Sequence, residues 1–189
     1  MTHARVQILL DIIKKAGVDA AALIPGANLQ YLTGNDFHLM ERPLVVFFMP
    51  GRDPVAVLPS LEADRMKASG IPMMLFPWTD TEGYHGAFTA ALSELKLNGK
   101  RLGVEELRMR VLEAQVIEEH AHDLRIVPLG AALAELRLRK DADAVAQLRT
   151  AIRISQEALQ ACIVQVRPGM TEREIAGILV VEQLRRGGG

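Results

Sequence analysis

The sequence predicts a mixed α/β sandwich followed by a purely helical segment. Two strand-like apolar runs, LVVFFM at 44–49 and VAVL shortly after it, are joined by PGRDP, and this pattern indicates a hairpin. Strand and helix patterns then alternate to about residue 130, which is typical of a sheet covered by helices. From Ala131 onward no strand pattern occurs, so we expect two segments, 1–130 and 131–189.

The first elements follow from the spacing of apolar residues. An opening amphipathic helix is predicted by residues three and four apart, namely Val6, Leu9, Leu10 and Ile13. Gly17 is its expected stop. DAAALI at 19–24 predicts a short buried strand, and NLQYLTG at 28–34 a short helical turn. The unbroken LVVFFM run indicates a central strand that is covered on both faces.

The later elements are predicted in the same way. Helices are expected at 61–69, 83–97 and 111–122, and strands at MMLFPW, RLGVEE and LRIVPL. Asp141 is placed to cap a long helix that ends at Pro168-Gly169. Thr171 and Glu174 then form a capping-box pattern, which predicts the start of a last helix.

Composition excludes several classes of partner. The 189 residues carry a net charge of −1, and no basic face is interleaved with aromatics, so nucleic acid is not expected as a partner. No apolar run reaches the roughly 18 residues that a membrane span needs. The single cysteine, Cys162, has no partner for an internal disulfide, and with no signal-peptide pattern this indicates a cytoplasmic protein.

Several motifs occur in an order that resembles one known family. Arg139 and Lys140 precede the long helix, the PG turn and the T-E-x-E cap follow, and Arg186-Gly187 ends the last helix. IPGANLQYLTG and ERPLVVFFMPGRDPVAVLP match the pattern upstream. The whole set resembles the Xaa-Pro peptidase family, which includes Xaa-Pro aminopeptidase, prolidase and creatinase.

The resemblance implies a fold and an activity. Residues 1–130 would form a ribonuclease H-like creatinase/prolidase N-terminal domain without chemistry of its own, and 131–189 the first two helices of an incomplete pita-bread catalytic domain. In the family, two Asp, one His and two Glu of that domain hold two divalent metals (manganese, cobalt or zinc), which activate a hydroxide. The implied protein is a homodimer that cleaves peptides before proline.

The residues present do not supply that ligand set. No histidine follows His122, and the only aspartates after Leu138 are Asp141 and Asp143. We therefore expect no metal site and no catalytic residue in this chain. The ligands are expected beyond residue 189, in a parent protein of which this chain is a truncated part, inactive alone.

The loop GNDFHLMERP is the candidate substrate-binding segment. It gathers Asp36, His38 and Arg42 within a few residues. In the resembling family the corresponding loop can reach the active-site mouth of a partner subunit, so these three residues are assigned to a substrate mouth. Arg42 is the favoured one, because a guanidinium holds a carboxylate in a bidentate fork. An ordinary surface loop is an equal alternative.

Two other groups of residues have a chemical and a structural interpretation. In EEHAHD, Glu118 and His122 are four apart and could bind a metal on one helix face, but a solvated helix end is favoured. Glu105 and Glu106 are adjacent carboxylates, and on a strand they would point to opposite faces.

For the remaining candidates a structural role is favoured. Cys162 lies on an apolar helix face without a local His, which favours a buried thiol over a nucleophile. Trp78 is expected to pack in the core or at an edge rather than line a proline pocket. The glycines lack the spacing of a nucleotide-binding loop.

Three functions remain open at this point. The first is the amino-terminal part of a dinuclear-metal Xaa-Pro peptidase acting on proline-containing peptides. The second is a creatinase-like hydrolase of a small guanidino compound with the same fold. The third is a non-catalytic module that dimerises or pairs with a full-length relative through exposed apolar helix faces.

Overall fold

A computed structural model describes residues 2–188. The chain divides into two units, Met1–Leu138 and Arg139–Gly189. The first unit is built around a mixed sheet, and the second contains two helices. Both features were predicted from the sequence.

The sheet of the first unit has six strands in the order β4-β3-β2-β1-β5-β6. The strands are β1 (Ala20–Leu23), β2 (Val45–Phe48), β3 (Val55–Pro59), β4 (Met74–Trp78), β5 (Arg101–Val104) and β6 (Arg125–Pro128). β2 pairs antiparallel with both β1 and β3, so the predicted hairpin is confirmed. The pairs β1–β5, β3–β4 and β5–β6 are parallel.

Helices cover both faces of this sheet. They are α1 (Thr2–Lys15), α2 (Ala27–Thr33), α3 (Ala63–Lys67) after a 3-10 helix at Ser60–Glu62, α4 (His85–Leu95), α5 (Val111–His120) and α6 (Gly130–Leu138). One face packs on α1, α2 and α6 through residues such as Leu9, Leu29 and Leu133. The other packs on α4 and α5 through Phe88 and Ile117.

The two central strands are buried on both faces. Val46 and Phe48 of β2 join the first cluster, whereas Val45 and Phe47 join the second. Because successive side chains of a strand point to opposite faces, a strand covered on both sides needs an unbroken apolar run. The prediction of a central strand at LVVFFM is therefore confirmed.

The division between the units lies later than residue 130, where α6 begins. α6 contacts α1 and α2, and its Leu133 and Leu136 are buried in the same core cluster. Residues 131–138 therefore belong to the first unit as well, because the apolar stripe of α6 completes the cover over one sheet face.

The second unit consists of α7 (Ala142–Ile163) and α8 (Glu172–Arg185). Asp141 caps α7 by accepting the N–H of Ala144 at 2.8 Å. The predicted capping box of α8 is present, since Thr171 Oγ1 accepts the N–H of Glu174 and the Glu174 carboxylate accepts the N–H of Thr171. Across residues 2–188, no helix has the length and apolar character that a bilayer span requires.

Candidate functional site

A buried polar cluster lies where β1 and β5 end. The two strands are parallel, so their carboxyl ends meet at one edge of the sheet. Asn28, in the first turn of α2, donates from Nδ2 to Oε1 of Glu105 at 2.8 Å. Its Oδ1 accepts the Nε–H of Arg137 at 2.8 Å. This cluster joins α2, the end of β5 and α6.

Glu105 is the titratable group at its centre. The residue is 9% exposed, and burial raises the pKa of its carboxyl, while the hydrogen bond from Asn28 and the charges of Arg108 and Arg137 oppose that rise. Its Oε2 has no hydrogen-bond partner within the described part of the chain. A carboxylate fixed by an amide in this way holds structure together rather than acting with a second acid.

Glu106 turns away to a different partner. β5 ends at Val104, so the expectation that both glutamates lie on a strand was wrong. Glu106 Oε2 accepts the N–H of Gly130 at 2.8 Å, at the start of α6, and backbone N–H groups lower the pKa of its carboxyl. The two carboxylates do not form one site, because each is held by a separate element.

Arg108 covers Gly26 beside this cluster. Its Nη2 donates to the carbonyl oxygen of Pro25 at 3.1 Å. A Cβ on Gly26 would lie 2.3 Å from Nε of Arg108. Gly26 has extended backbone, with φ 163°, so a larger residue here would move the guanidinium of Arg108 rather than strain the backbone.

The loop from Gly34 to Pro43 is held at several points. Arg65 donates from Nη2 to the carbonyl oxygen of Asp36 at 2.6 Å and lies over the ring of buried Phe37. Trp78 Nε1 donates to the carbonyl oxygen of Pro43 at 3.2 Å. Trp78 is only 5% exposed, which confirms its expected packing role.

Arg110 is a further anchor of this loop that the sequence did not reveal. Its Nη1 donates to the carbonyl oxygen of Met40 at 2.5 Å. Its Nε donates to both carboxylate oxygens of Glu113 at 3.0 Å, and the Glu113 side chain is fully buried. The Glu113 carboxylate raises the pKa of Arg110, and the contact between the two side chains at the start of α5 fixes the loop.

The three residues predicted for a substrate mouth are only partly brought together. A cavity of about 250 Å³ beside the loop is lined by Phe37, His38, Met40, Arg42, Leu44, Pro59, Leu61 and Glu62. His38 and Arg42 thus share one cavity. Asp36 is exposed and is not among its lining residues.

Arg42 is engaged by another residue of the chain. Its Nε donates to Oδ1 of Asp80 at 2.9 Å, and its Nη2 donates to Oδ2 of the same carboxylate. The guanidinium holds the pKa of Asp80 below its ordinary range. A ligand carboxylate would have to displace Asp80 to occupy the fork of Arg42.

The residues considered for metal binding in EEHAHD separate in the structure. α5 ends at His120, so His122 lies beyond the helix and does not share a helix face with Glu118. Cys162 is buried, and its thiol donates to the carbonyl oxygen of Ile175 at 3.6 Å, in keeping with a structural role.

Carboxylates of the second unit are held by neighbouring groups. Glu182 pairs with Arg185 and Arg186, and Glu174 completes the cap of α8. Between residues 139 and 188, which contain no histidine, the donors of a two-metal centre are not gathered. These residues do not fit such a centre, so we derive no hydrolytic step from them.

The fold defines the class of this protein as a mixed α/β sandwich. Polar residues at the strand ends hold helices and a loop of this sandwich in place. A family model described as the creatinase/prolidase N-terminal domain matches residues 5–139. The chain belongs to this family. The match ends close to the division between the two units.

Relatives extend the similarity over both units. The Bacillus subtilis protein YkvY is 24% identical over 183 residues, which is 97% of this chain and 50% of that protein. A dipeptidase structure from Pyrococcus horikoshii has 27% identity and a TM-score of 0.81, covering 94% of this chain and 49% of its own.

A prolidase structure from Thermococcus sibiricus has a TM-score of 0.83 and 24% identity, over 96% of this chain and 49% of its own. The fold of both units is therefore that of the corresponding half of these structures. The chain spans about half the length of the relatives it matches.

Proposed function

We propose that this chain is the amino-terminal part of a dinuclear-metal Xaa-Pro peptidase, either a dipeptidase or an aminopeptidase. The observation that carries the proposal is the continuity of the match. The likeness to the Pyrococcus horikoshii dipeptidase covers 94% of this chain but 49% of that one, so it includes α7 and α8 as well as the sandwich. A free sandwich module would not need these two helices.

The surface of the second unit supports this interpretation. Large apolar side chains are exposed on both of its helices, including Leu148, Ile152, Leu159 and Ile163 on α7 and Val180 and Leu184 on α8. A groove of about 720 Å³ also lies between α7 and α8. Apolar surface of this extent is typical of an interface. We assign it to the remainder of a catalytic domain in the same polypeptide.

The hydrolytic chemistry would come from that remainder. Two divalent metals held there would supply an activated hydroxide and stabilise the oxyanion of the peptide carbonyl. The residues described above would have supporting roles. The first unit would position the loop with His38 and Arg42 at a substrate mouth, with Asp36 nearby, and would contribute to a cytoplasmic homodimer.

Activity of the full reading frame tests this proposal. We expect hydrolysis of a Gly-Pro dipeptide or of a longer peptide with proline second, loss of that activity with a chelator, and no activity of the 189-residue chain alone. Hydrolysis of creatine without cleavage of proline peptides would instead assign the creatinase-like function. A reading frame that continues without two Asp, one His and two Glu would refute the peptidase function.

A further inference from the structure

We propose that His85, Glu119 and His120 form a zinc-binding site on the first unit. His85 begins α4, and Glu119 and His120 end α5. The two helices contact each other and share a core cluster that contains Phe88 and Ile117. The backbone positions of all three residues are therefore fixed by the packing of the sandwich and not by a loop.

The spacing of the donor atoms suits a tetrahedral ion. Nδ1 of His85 lies 3.4 Å from Nε2 of His120 and 3.8 Å from Oε2 of Glu119. One donor atom from each of the three residues lies within 4.8 Å of the other two. Zinc bonds of about 2.0–2.1 Å at tetrahedral angles put neighbouring donors about 3.4 Å apart, so small side-chain rotations suffice to bind the ion.

Thr89 contacts the ring nitrogen of His120 that lies away from His85. Its hydroxyl donates to the carbonyl oxygen of His85 at 2.9 Å, and the same oxygen lies 3.3 Å from Nδ1 of His120. In the tautomer that we propose, the hydroxyl proton stays on this carbonyl and Oγ1 accepts the Nδ1–H of His120. The lone pair of Nε2 then faces His85, which is the arrangement that a metal-binding imidazole requires.

The ring of His85 is held from its other side. It stacks on Tyr84, with ring centroids 4.7 Å apart and an interplanar angle of 27°. Tyr84 in turn makes edge contacts with Trp78 and Phe88 in the core. The His85 ring is therefore supported by the core, although its side chain is 58% exposed.

The donor set selects the kind of metal. Two imidazoles and one carboxylate match zinc sites that keep a fourth position for water, whereas magnesium and calcium prefer oxygen donors throughout. The side chain of Glu119 is 57% exposed, so water has access to that fourth position. This inference does not depend on the proposed peptidase function, because all its residues lie on α4 and α5.

Zinc titration of the untagged 189-residue chain against a chromogenic chelator tests the site. We expect one zinc ion per chain. His85→Ala and His120→Ala should each weaken binding about a hundredfold, and Thr89→Val about tenfold. His122→Ala is the matched control, since this histidine lies beyond α5, and it should leave the affinity unchanged.

Circular dichroism of each variant would establish that it is folded, and Glu119→Gln removes the charged donor while keeping the side-chain shape. Weakened zinc binding in a folded Glu119→Gln protein supports the site. Absence of zinc uptake by the unmodified chain would overturn the inference. A loss in His122→Ala as large as that in His85→Ala would overturn it as well.

Discussion

Asn28 Nδ2 lies 2.8 Å from Oε1 of Glu105, and this buried hydrogen bond joins α2 to the end of β5 across 77 positions of sequence. Asn28 also accepts from Arg137 on α6. One amide therefore connects three elements of the first unit.

Asn28→Ala should lower the free energy of unfolding by about 3 kcal/mol, because it leaves the buried carboxylate of Glu105 without the amide that hydrogen-bonds to it. Urea unfolding followed by fluorescence measures this, since the chain's one tryptophan, Trp78, is buried in the same unit. Asn98→Ala is the control. Asn98 also makes one hydrogen bond, to the N–H of His122, but it is exposed, so we expect a loss below about 1 kcal/mol.

Glu105→Gln should change the pH dependence of stability. Burial raises the pKa of Glu105 above its ordinary value of 4.5. Protonation of the Glu105 carboxyl therefore stabilises the folded state. This stabilisation is fully present below the pKa of the unfolded chain and is lost as pH rises through the pKa of the folded chain. Glutamine does not titrate. The stability of the unmodified chain relative to the variant should thus fall as pH rises above 4.5 and through the raised pKa, and a rise with pH there would contradict the assignment.

Gly26→Ala should lower the free energy of unfolding of the first unit by about 1 kcal/mol, because the new methyl group moves the guanidinium of Arg108 away from the carbonyl oxygen of Pro25. Gly86→Ala is a suitable comparison. Gly86 lies in α4, and a Cβ there meets nothing within 4 Å, so this change should cause no loss. Equal effects of the two changes in thermal unfolding would show that space at Gly26 is not the constraint.

Thr171→Ala should remove about 1 kcal/mol from α8 at neutral pH, the usual cost of losing a helix cap. Loss of helical circular dichroism measures it, and Thr150→Ala inside α7 should have no such effect. The backbone N–H of Thr171 and then its hydroxyl lower the pKa of Glu174. The stabilisation by the cap is therefore present above the ordinary value of 4.5 and is lost as pH falls through the lowered pKa.

Arg42 and Asp80 allow a test of the proposed substrate mouth in the longer protein that the proposed function implies. If Arg42 binds a substrate carboxylate, Arg42→Ala should raise KM about tenfold with kcat little changed. Asp80→Asn releases the fork of Arg42 from its present partner, so it should leave KM unchanged or lower it. Parallel increases in KM for both variants would indicate that the ion pair only supports the loop.

The sequence predicted those elements that depend on residues close together in the chain or on a regular pattern of apolar residues. The capping box needs two residues three positions apart, and the pattern of β2 is unbroken because both faces are buried. The Asn28–Glu105 bond has no such pattern, since its partners come from distant elements. The position of Glu105 beyond β5 depends on where pairing with β1 stops, and this is set by tertiary contacts.

For the same reason, the sequence says less about which side chains of the candidate sites lie close together. His38 and Arg42 share a loop and also share a cavity, so sequence proximity sufficed there. The imidazole that faces His120 comes from His85, 35 positions earlier. The pair considered from the sequence, Glu118 and His122, would require α5 to continue past His120. Only the packing of α4 on α5 brings His85 close to Glu119 and His120.

The outermost strands of the sheet both contain a proline, Pro77 in β4 and Pro128 in β6. Proline has no N–H to donate, and it is a common means of protecting exposed sheet edges from strand addition. Further strands should therefore not extend the sheet at either end. Any self-association of this domain is expected to use helix or loop surfaces, and concentrated preparations should resist the edge-to-edge growth that produces fibrils.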